Sequence, residues 1–430
     1  MKLSLYRMAT TLGGPLIRLY LGKRLRRGKE DPERFHERLG RASRPRPDGK
    51  LVWMHAASVG ESLSVLPLVD RVLADLDGWS VLVTTGTMTS ARLMEERLPQ
   101  GAIHQYVPVD RVSYVRRFLN HWRPDLALWV ESEFWPNLVI ETHERKVPMV
   151  VLNGRMSESS FQGWLKNMSL MQRMLSAFQL VLAQSERDGE RFRTLGAANI
   201  SVPGNLKFAA GPLPVNDRAL ETMLDVASTR PRWLAASTHP GEEGVCGRVH
   251  KALKKQTPEL LTIVVPRHPE RGSPIAAELR LHGLKTALRS ANQDITPDTD
   301  VYIADTLGEL GLFYRLCDIV FVGKTLRGVG GQNPIEPAQL SCALIFGPDM
   351  SNFEDSAFKL LDSGGARKIA DGDELAHAVR TLIDDDPARI HAANAALDTA
   401  RSEADVLGRI MKALTPYFTF AESGDTDART

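Results

Sequence analysis

The chain reads as an α/β protein built from two doubly wound, parallel-sheet domains, and three observations carry that reading. Short β-branched runs alternate with longer helical stretches, the rhythm of parallel strands joined by crossover helices. The 430 residues exceed what one hydrophobic core usually serves, so two domains of about 200 residues each are expected. A breaker-rich stretch, Gly211-Pro212-Leu213-Pro214, divides the strand series in two.

Residues 1–30 carry Lys2, Arg7, Arg18, Lys23, Arg24, Arg26, Arg27 and Lys29 around an apolar and small-residue stretch from Met8 to Leu21. Arg18 interrupts that stretch, which is too short and too weakly apolar to span a bilayer. A signal peptide would want a small-residue cleavage site after it. The segment is expected to lie as a helix on an anionic membrane face, with Lys and Arg against headgroups. An ordinary amphipathic helix packed on the protein would show the same pattern.

Residues 31–210 form the expected first domain. Its predicted strands are Leu51 to Ala56, Ser80 to Thr85, Asp125 to Glu131, Val147 to Asn153 and Gln179 to Gln184, with Ser201 to Lys207 closing the series. Residues 215–421 form the second. Its predicted strands are Arg232 to Ser237, Glu259 to Pro266, Leu284 to Leu288, Val301 to Ala304, Asp318 to Gly323, Ala343 to Phe346 and Arg367 to Ala370. A long helical pattern from Pro387 to Leu414 follows, and residues 422–430 read as a disordered tail. Two such domains facing each other would leave a cleft between the carboxyl ends of their strands, where α/β folds bind ligands.

Composition removes some functions. Lys plus Arg is 54 against 52 Asp plus Glu, and a net +2 argues against a dedicated nucleic-acid binder. Cys246, Cys317 and Cys342 are odd in number and lack metal-ligand spacing, so they read as buried thiols of a reducing compartment. Asp75-x-Asp77, Asp298-x-Asp300 and Asp371-x-Asp373 sit in polar turns or before a strand and are not expected to hold metal.

The candidate chemistry lies at strand ends. His55-Ala56-Ala57-Ser58-Val59-Gly60-Glu61 follows the first strand, which puts the Glu61 carboxylate at the sheet mouth as a candidate base. Ser58-x-x-Glu61 is equally a helix capping box, and Thr306-x-x-Glu309 and Asn333-Pro334-x-Glu336 repeat the pattern. His55 reads as a support for the Glu61 turn, while Trp129, Phe134 and Trp135 read as core or cleft lining. In Pro266-Arg267-His268-Pro269-Glu270-Arg271 the prolines fix the chain leaving a strand and present an arginine suited to phosphate. A charged turn paired with Glu270 is the plainer account. Gly323 to Pro337 is glycine-rich and fits neither a Walker loop nor a dinucleotide fingerprint, yet its glycines permit close backbone approach and Asn333-Pro334 starts a helix suited to an anion. Two phosphate- or ribose-receiving junctions in one domain and a base in the other suggest a nucleotide-sugar glycosyltransferase. A nucleotide-sugar epimerase or a non-catalytic membrane scaffold are the alternatives.

Taken in order, "HAASVGE", "ESEFWPNL", "NGRMS", "GNLKF", "PRHPER", "DTLGELG" and "GGQNPIEPA" resemble the 3-deoxy-D-manno-octulosonate (Kdo) transferases of lipopolysaccharide assembly, from about residue 15 to about residue 415. The resemblance implies a GT-B fold of two Rossmann-like domains, and no cofactor or metal is expected. It also implies a membrane-associated enzyme at the cytoplasmic face of the inner membrane that moves Kdo from CMP-Kdo to a lipid A precursor (lipid IVA). It places the catalytic base on Glu61, and Glu131, Glu133 and Lys207 near the reaction centre. Its CMP-binding positions fall on Pro266, Arg267, Leu307, Gly308, Glu309, Asn333, Pro334, Ile335 and Glu336. Two places depart from the family pattern: Gln332 stands where histidine is usual, and Lys324-Thr325 where a Gly-Ser pair is usual. Lys324 is expected to supply the charge that Gln332 lacks.

Overall fold

Fourteen strands pair into two parallel sheets of seven among the residues described by the structure, a computed structural model covering 2–209, 211–227, 229–327 and 330–423. The chain divides into two compact units: Met1–Ala210 with Asp405–Thr430, and Gly211–Ala404.

In the first unit the strands are β1 (Lys50–His55), β2 (Trp79–Thr85), β3 (Ala102–Tyr106), β4 (Leu126–Val130), β5 (Met149–Gly154), β6 (Leu180–Ala183) and β7 (Ile200–Ser201). Their order is β3-β2-β1-β4-β5-β6-β7, so the winding reverses between β1 and β4. Both faces are covered, which is why the central strands are apolar without interruption. Along β1 the side chains alternate between two cores, Leu51 and Trp53 on one side and Val52 and Met54 on the other.

Strand β3 escapes the sequence reading because "AIHQY" is half polar, as an edge strand permits. Its outer edge is blocked by side chains: the Tyr106 amide donates to Glu37 (2.7 Å) and Arg34 donates to the His104 carbonyl (3.0 Å).

The second unit holds β8 (Arg232–Thr238), β9 (Leu261–Pro266), β10 (Thr286–Leu288), β11 (Val301–Ile303), β12 (Ile319–Val322), β13 (Ala343–Phe346) and β14 (Ala366–Lys368). Their order is β10-β11-β9-β8-β12-β13-β14, with the reversal between β8 and β12. The backbones close up there: a Cβ on Gly323 would stand 2.4 Å from the Ser237 carbonyl oxygen, so only glycine fits.

The C-terminal region corrects the expected boundary. The single helix expected over Pro387 to Leu414 is two, Asp386–Ala404 and Val406–Ser423, and the second belongs to the first unit. Its Val406, Ile410, Leu414 and Phe418 recur every fourth residue and enter the core that holds Val52 and Met54, with Phe418 edge-on to Trp79 at 5.0 Å. Burial outweighs chain adjacency. The helix also carries Glu422 and Ser423, assigned above to a disordered tail; residues 424–430 of that tail lie outside the described residues.

The first thirty residues are likewise part of the first unit rather than a separate segment. They form two helices, Lys2–Leu12 and Gly14–Arg26, broken at Gly13-Gly14-Pro15. The first is fastened by polar contacts. The Tyr6 hydroxyl donates to buried Asp110 (2.9 Å), whose carboxylate also accepts the amides of Asn137 (3.0 Å) and Leu138 (2.8 Å) at the start of helix Pro136–Glu144. Arg7 pairs with Glu141 and, at 3.2 Å, with Glu144. Leu5, Met8, Leu12, Leu16, Leu19 and Tyr20 are left at least half exposed. No helix among the described residues is long and apolar enough to cross a membrane.

Candidate functional site

Glu61 sits in the first turn of helix Val59–Asp75, directly after β1 and so at the reversal of the first sheet. The capping box expected from Ser58-x-x-Glu61 forms. The Ser58 hydroxyl donates to one Glu61 oxygen (2.7 Å), the Ala57 amide donates to the other (2.8 Å), and the Glu61 amide returns to Ser58 Oγ (3.3 Å). Each oxygen keeps a lone pair for one more donor, so cap and base are compatible. Glu61 is only 7% exposed. That burial pushes its carboxyl above the usual range, with the charges of Glu131 and Glu133 adding and the Ser58 and Ala57 hydrogen bonds opposing.

Glu131 follows β4, the other strand at the reversal, and turns out of it with φ of 59°, a conformation that non-glycine residues rarely adopt. Its carboxylate meets Lys207 Nζ at 2.9 Å. Lys207 lies in the turn Leu206–Ala209, held by the Asn153 side chain accepting the Leu206 amide (2.8 Å). The structure therefore gathers Glu61, Glu131, Glu133 and Lys207 into one electrostatic group. Trp129 is fully buried and donates from Nε1 to the Glu133 carbonyl (3.0 Å), and Phe134 is core. Trp135 is 39% exposed at the rim, its Nε1 on the Glu133 carboxylate (3.3 Å). His55 is buried against Thr84 Oγ1 (3.0 Å), and burial lowers its pKa to about 4, so it is a neutral support.

In the second unit the expected donor positions divide. Pro266 ends β9, and Arg267 after it is exposed, its positive charge acting on the Glu336 carboxyl. Its neighbour Arg271 is occupied by Glu243 through both terminal nitrogens (2.7 and 3.0 Å), not by Glu270. Leu307 is 83% exposed beside Gly308, whose φ of +81° opens the turn. Glu309 corrects the second capping box. The helix there is Leu310–Leu316, so Glu309 stands before it and accepts from Arg289 Nε (2.5 Å) and from Thr306. The Arg289 hydrogen bonds hold the Glu309 carboxyl below its usual range.

The third box is also altered. Asn333 Oδ1 accepts the Ile335 amide (3.0 Å) and Nδ2 donates to Glu336 (3.1 Å), while Pro334 caps a single turn, Ile335–Ala338, too short to act as an anion-binding helix. Burial raises the Glu336 carboxyl. Gly328 and Val329 of the glycine-rich loop lie outside the described residues.

Sequence reasoning missed Glu242. Fully buried in the first turn after β8, it accepts four backbone amides: His239 (2.9 Å) and Lys324 (2.7 Å) on one oxygen, Thr325 and Leu326 (3.0 Å each) on the other. The acidic pair in "STHPGEE" was the available signal. The glycine-rich loop's first amides thus face a carboxylate rather than a ligand. At the loop's far end Gln332 meets His239 (3.1 Å between Nε2 atoms). The His239 pKa is lowered by burial, with Glu242 opposing and the positive Lys324 and Arg271 adding.

Among the described residues no His, Cys, Asp or Glu cluster could hold a metal ion. Asp75 pairs with Arg71 (2.5 Å), Asp371 caps helix Gly372–Asp384, and Asp298 lies 3.1 Å from Lys285. The three cysteines are free and buried, and burial raises each thiol. A cavity of about 500 Å³ opens beside β3, lined partly by Arg34, Glu37 and Glu95, which pair with one another and include none of the expected site residues.

The family model of 3-Deoxy-D-manno-octulosonic-acid transferase (kdotransferase) matches residues 33–210. The chain is 37% identical over 385 residues to a 3-deoxy-D-manno-octulosonic acid transferase of Rickettsia bellii, covering 90% of this chain and 92% of that one. It is 33% identical over 413 residues to the transferase of the same name from Haemophilus influenzae, covering 94% and 96%. Its fold resembles the UDP-GlcNAc 2-epimerase of Neisseria meningitidis bound to UDP-GlcNAc, with TM-score 0.62 and 13% identity over 85% of this chain and all of that one.

Proposed function

We propose, because this chain belongs to the 3-deoxy-D-manno-octulosonic acid (Kdo) transferase family, that it moves Kdo from CMP-Kdo to a lipid A precursor with inversion, using Glu61 as the base. The observation that carries the reading is the Glu61 carboxylate, fixed by its cap, desolvated, and set among Glu131, Glu133 and Lys207 at the first sheet's reversal.

The base takes the proton from the acceptor hydroxyl as that oxygen bonds to the Kdo anomeric carbon. The bond from that carbon to the phosphate oxygen breaks, and its electron pair leaves with CMP. A carboxylate of raised pKa is better matched to this transfer near neutral pH than an ordinary one. The anomeric centre becomes cation-like on the way, and the nearby acids stabilise it. Lys207 holds Glu131 in place, which keeps that charge directed. In the second unit Arg267 and Lys324 supply positive charge for the departing phosphate. Glu309 and Glu336, each engaged by neighbours, shape the nucleotide pocket through Arg289 and Asn333.

The outward Leu5, Met8, Leu12, Leu16, Leu19 and Tyr20, among basic residues, support attachment to an anionic inner-membrane surface at its cytoplasmic face, where a lipid acceptor resides. The epimerase alternative has only a shared fold behind it, at 13% identity. Incubating the protein with CMP-Kdo and a tetraacylated lipid A precursor, and reading product mass, tests the proposal: a mass gain of one or more Kdo units is expected. Free-sugar conversion without lipid would overturn it.

A further inference from the structure

We propose that Glu242 is the positioning residue of the donor half-site, holding the glycine-rich loop in the one path that presents Lys324 and Gln332 outward. The inference rests on the reading of the second unit as the nucleotide-binding one. Ligands of an open α/β sheet bind where the winding reverses, here between β8 and β12. Glu242 ties the two lips of that reversal together: His239 leaves β8, and Lys324, Thr325 and Leu326 leave β12.

Four N–H donors converging on two oxygens require a carboxylate. A glutamine has one acceptor oxygen, and its amide hydrogens would confront two of the four donors. With three consecutive amides turned toward Glu242, the chain takes φ of 62° at Lys324, which leaves that side chain partly exposed. The loop then returns to the same β8 exit through Gln332 and His239. Both described ends of the loop are therefore referenced to one short segment, His239 to Glu242. Glu242 itself is fully buried, so it acts through the loop and not on the donor.

The test is titration of CMP into the full-length wild type, Glu242→Gln, Glu242→Asp and Asp300→Asn, with thermal melting and steady-state kinetics alongside. Asp300 is the control, a buried carboxylate of the same unit that holds Lys254, His250 and the Lys285 amide. Glu242→Gln is expected to weaken CMP binding more than tenfold and raise the donor KM in step, while kcat at saturating donor and the acceptor KM change less than threefold. Asp300→Asn is expected to lower Tm with CMP affinity intact. A wild type that does not bind CMP overturns the donor reading itself. A Glu242→Gln protein binding CMP within twofold of wild type, or one whose kcat and both KM values shift together with Tm, overturns the positioning role alone. If Glu242→Gln is too unstable to titrate, Glu242→Asp decides, and wild-type CMP affinity in that variant overturns the inference.

Discussion

Replacing Glu61 with glutamine separates the base from the cap that holds it. The glutamine oxygen can keep the Ala57 amide, and its NH2 can donate to Ser58 Oγ, which rotates to accept, so most of the capping box survives. Loss of a cap altogether is worth about 1 kcal/mol, and only part of that is at risk. Against it stands relief of a desolvated charge beside Glu131 and Glu133. Glu61 has a folded pKa above its unfolded value, so its favourable contribution is full below the unfolded value and is lost as pH rises through the folded one. At neutral pH the wild type carries that penalty and the variant does not. The variant should therefore melt at the wild-type temperature or slightly above it at pH 7, and lose that advantage in acid.

Turnover should behave very differently. A positioned general base contributes about 10²–10⁴-fold, or about 2.7–5.4 kcal/mol of barrier. Product mass after incubation with CMP-Kdo and lipid acceptor reads this directly, and the wild-type rate should fall on an acid limb displaced above the ordinary carboxylate range. A Glu61→Gln protein turning over within tenfold of wild type, correctly folded and donor-bound, would refute the assignment.

Lys324→Ala should weaken CMP-Kdo binding about fivefold or more, as expected when a charged hydrogen-bond partner is lost, while the acceptor KM stays fixed; an unchanged donor constant contradicts compensation for Gln332. Leu414→Ala, at a fully buried site in the first unit's core, should destabilise by about 2–5 kcal/mol. In differential calorimetry the first unit's transition should drop while the second's stays, and a shift confined to the second would show that the helix packs elsewhere. Leu12→Asp with Leu16→Asp should reduce cosedimentation with anionic phospholipid vesicles at least tenfold, because each buried leucine contributes about 1.5–3 kcal/mol. Undiminished binding by the double variant would exclude these helices as the membrane contact.

The central strands, buried on both faces, were legible in sequence, since an uninterrupted apolar run such as Leu126–Val130 has few other uses. Strand β3 was not legible because Arg34 and Glu37, far from it in sequence, complete its edge. The Ser58–Glu61 box was readable because both partners lie within one turn. The Thr306–Glu309 box failed because a remote arginine, Arg289, claims the carboxylate and the helix starts later. Glu242 was legible only through its local contact with the His239 amide, as its three other donors are more than eighty residues away. Local hydrogen bonds leave a signature in spacing, and long-range ones leave none.

The return of helix Val406–Ser423 to the first core has a consequence for biogenesis. In chain terms the second unit, Gly211–Ala404, is an insertion within the first. During synthesis from the amino terminus the first unit is begun earliest yet cannot bury Val52, Met54 and Trp79 fully until the last helix emerges. The second unit is contiguous in the chain and is synthesised in full before then. A chain released after residue 404 would thus contain the whole second unit and a first with an apolar groove open to chaperones, so termination there disables the base-bearing half and spares the other.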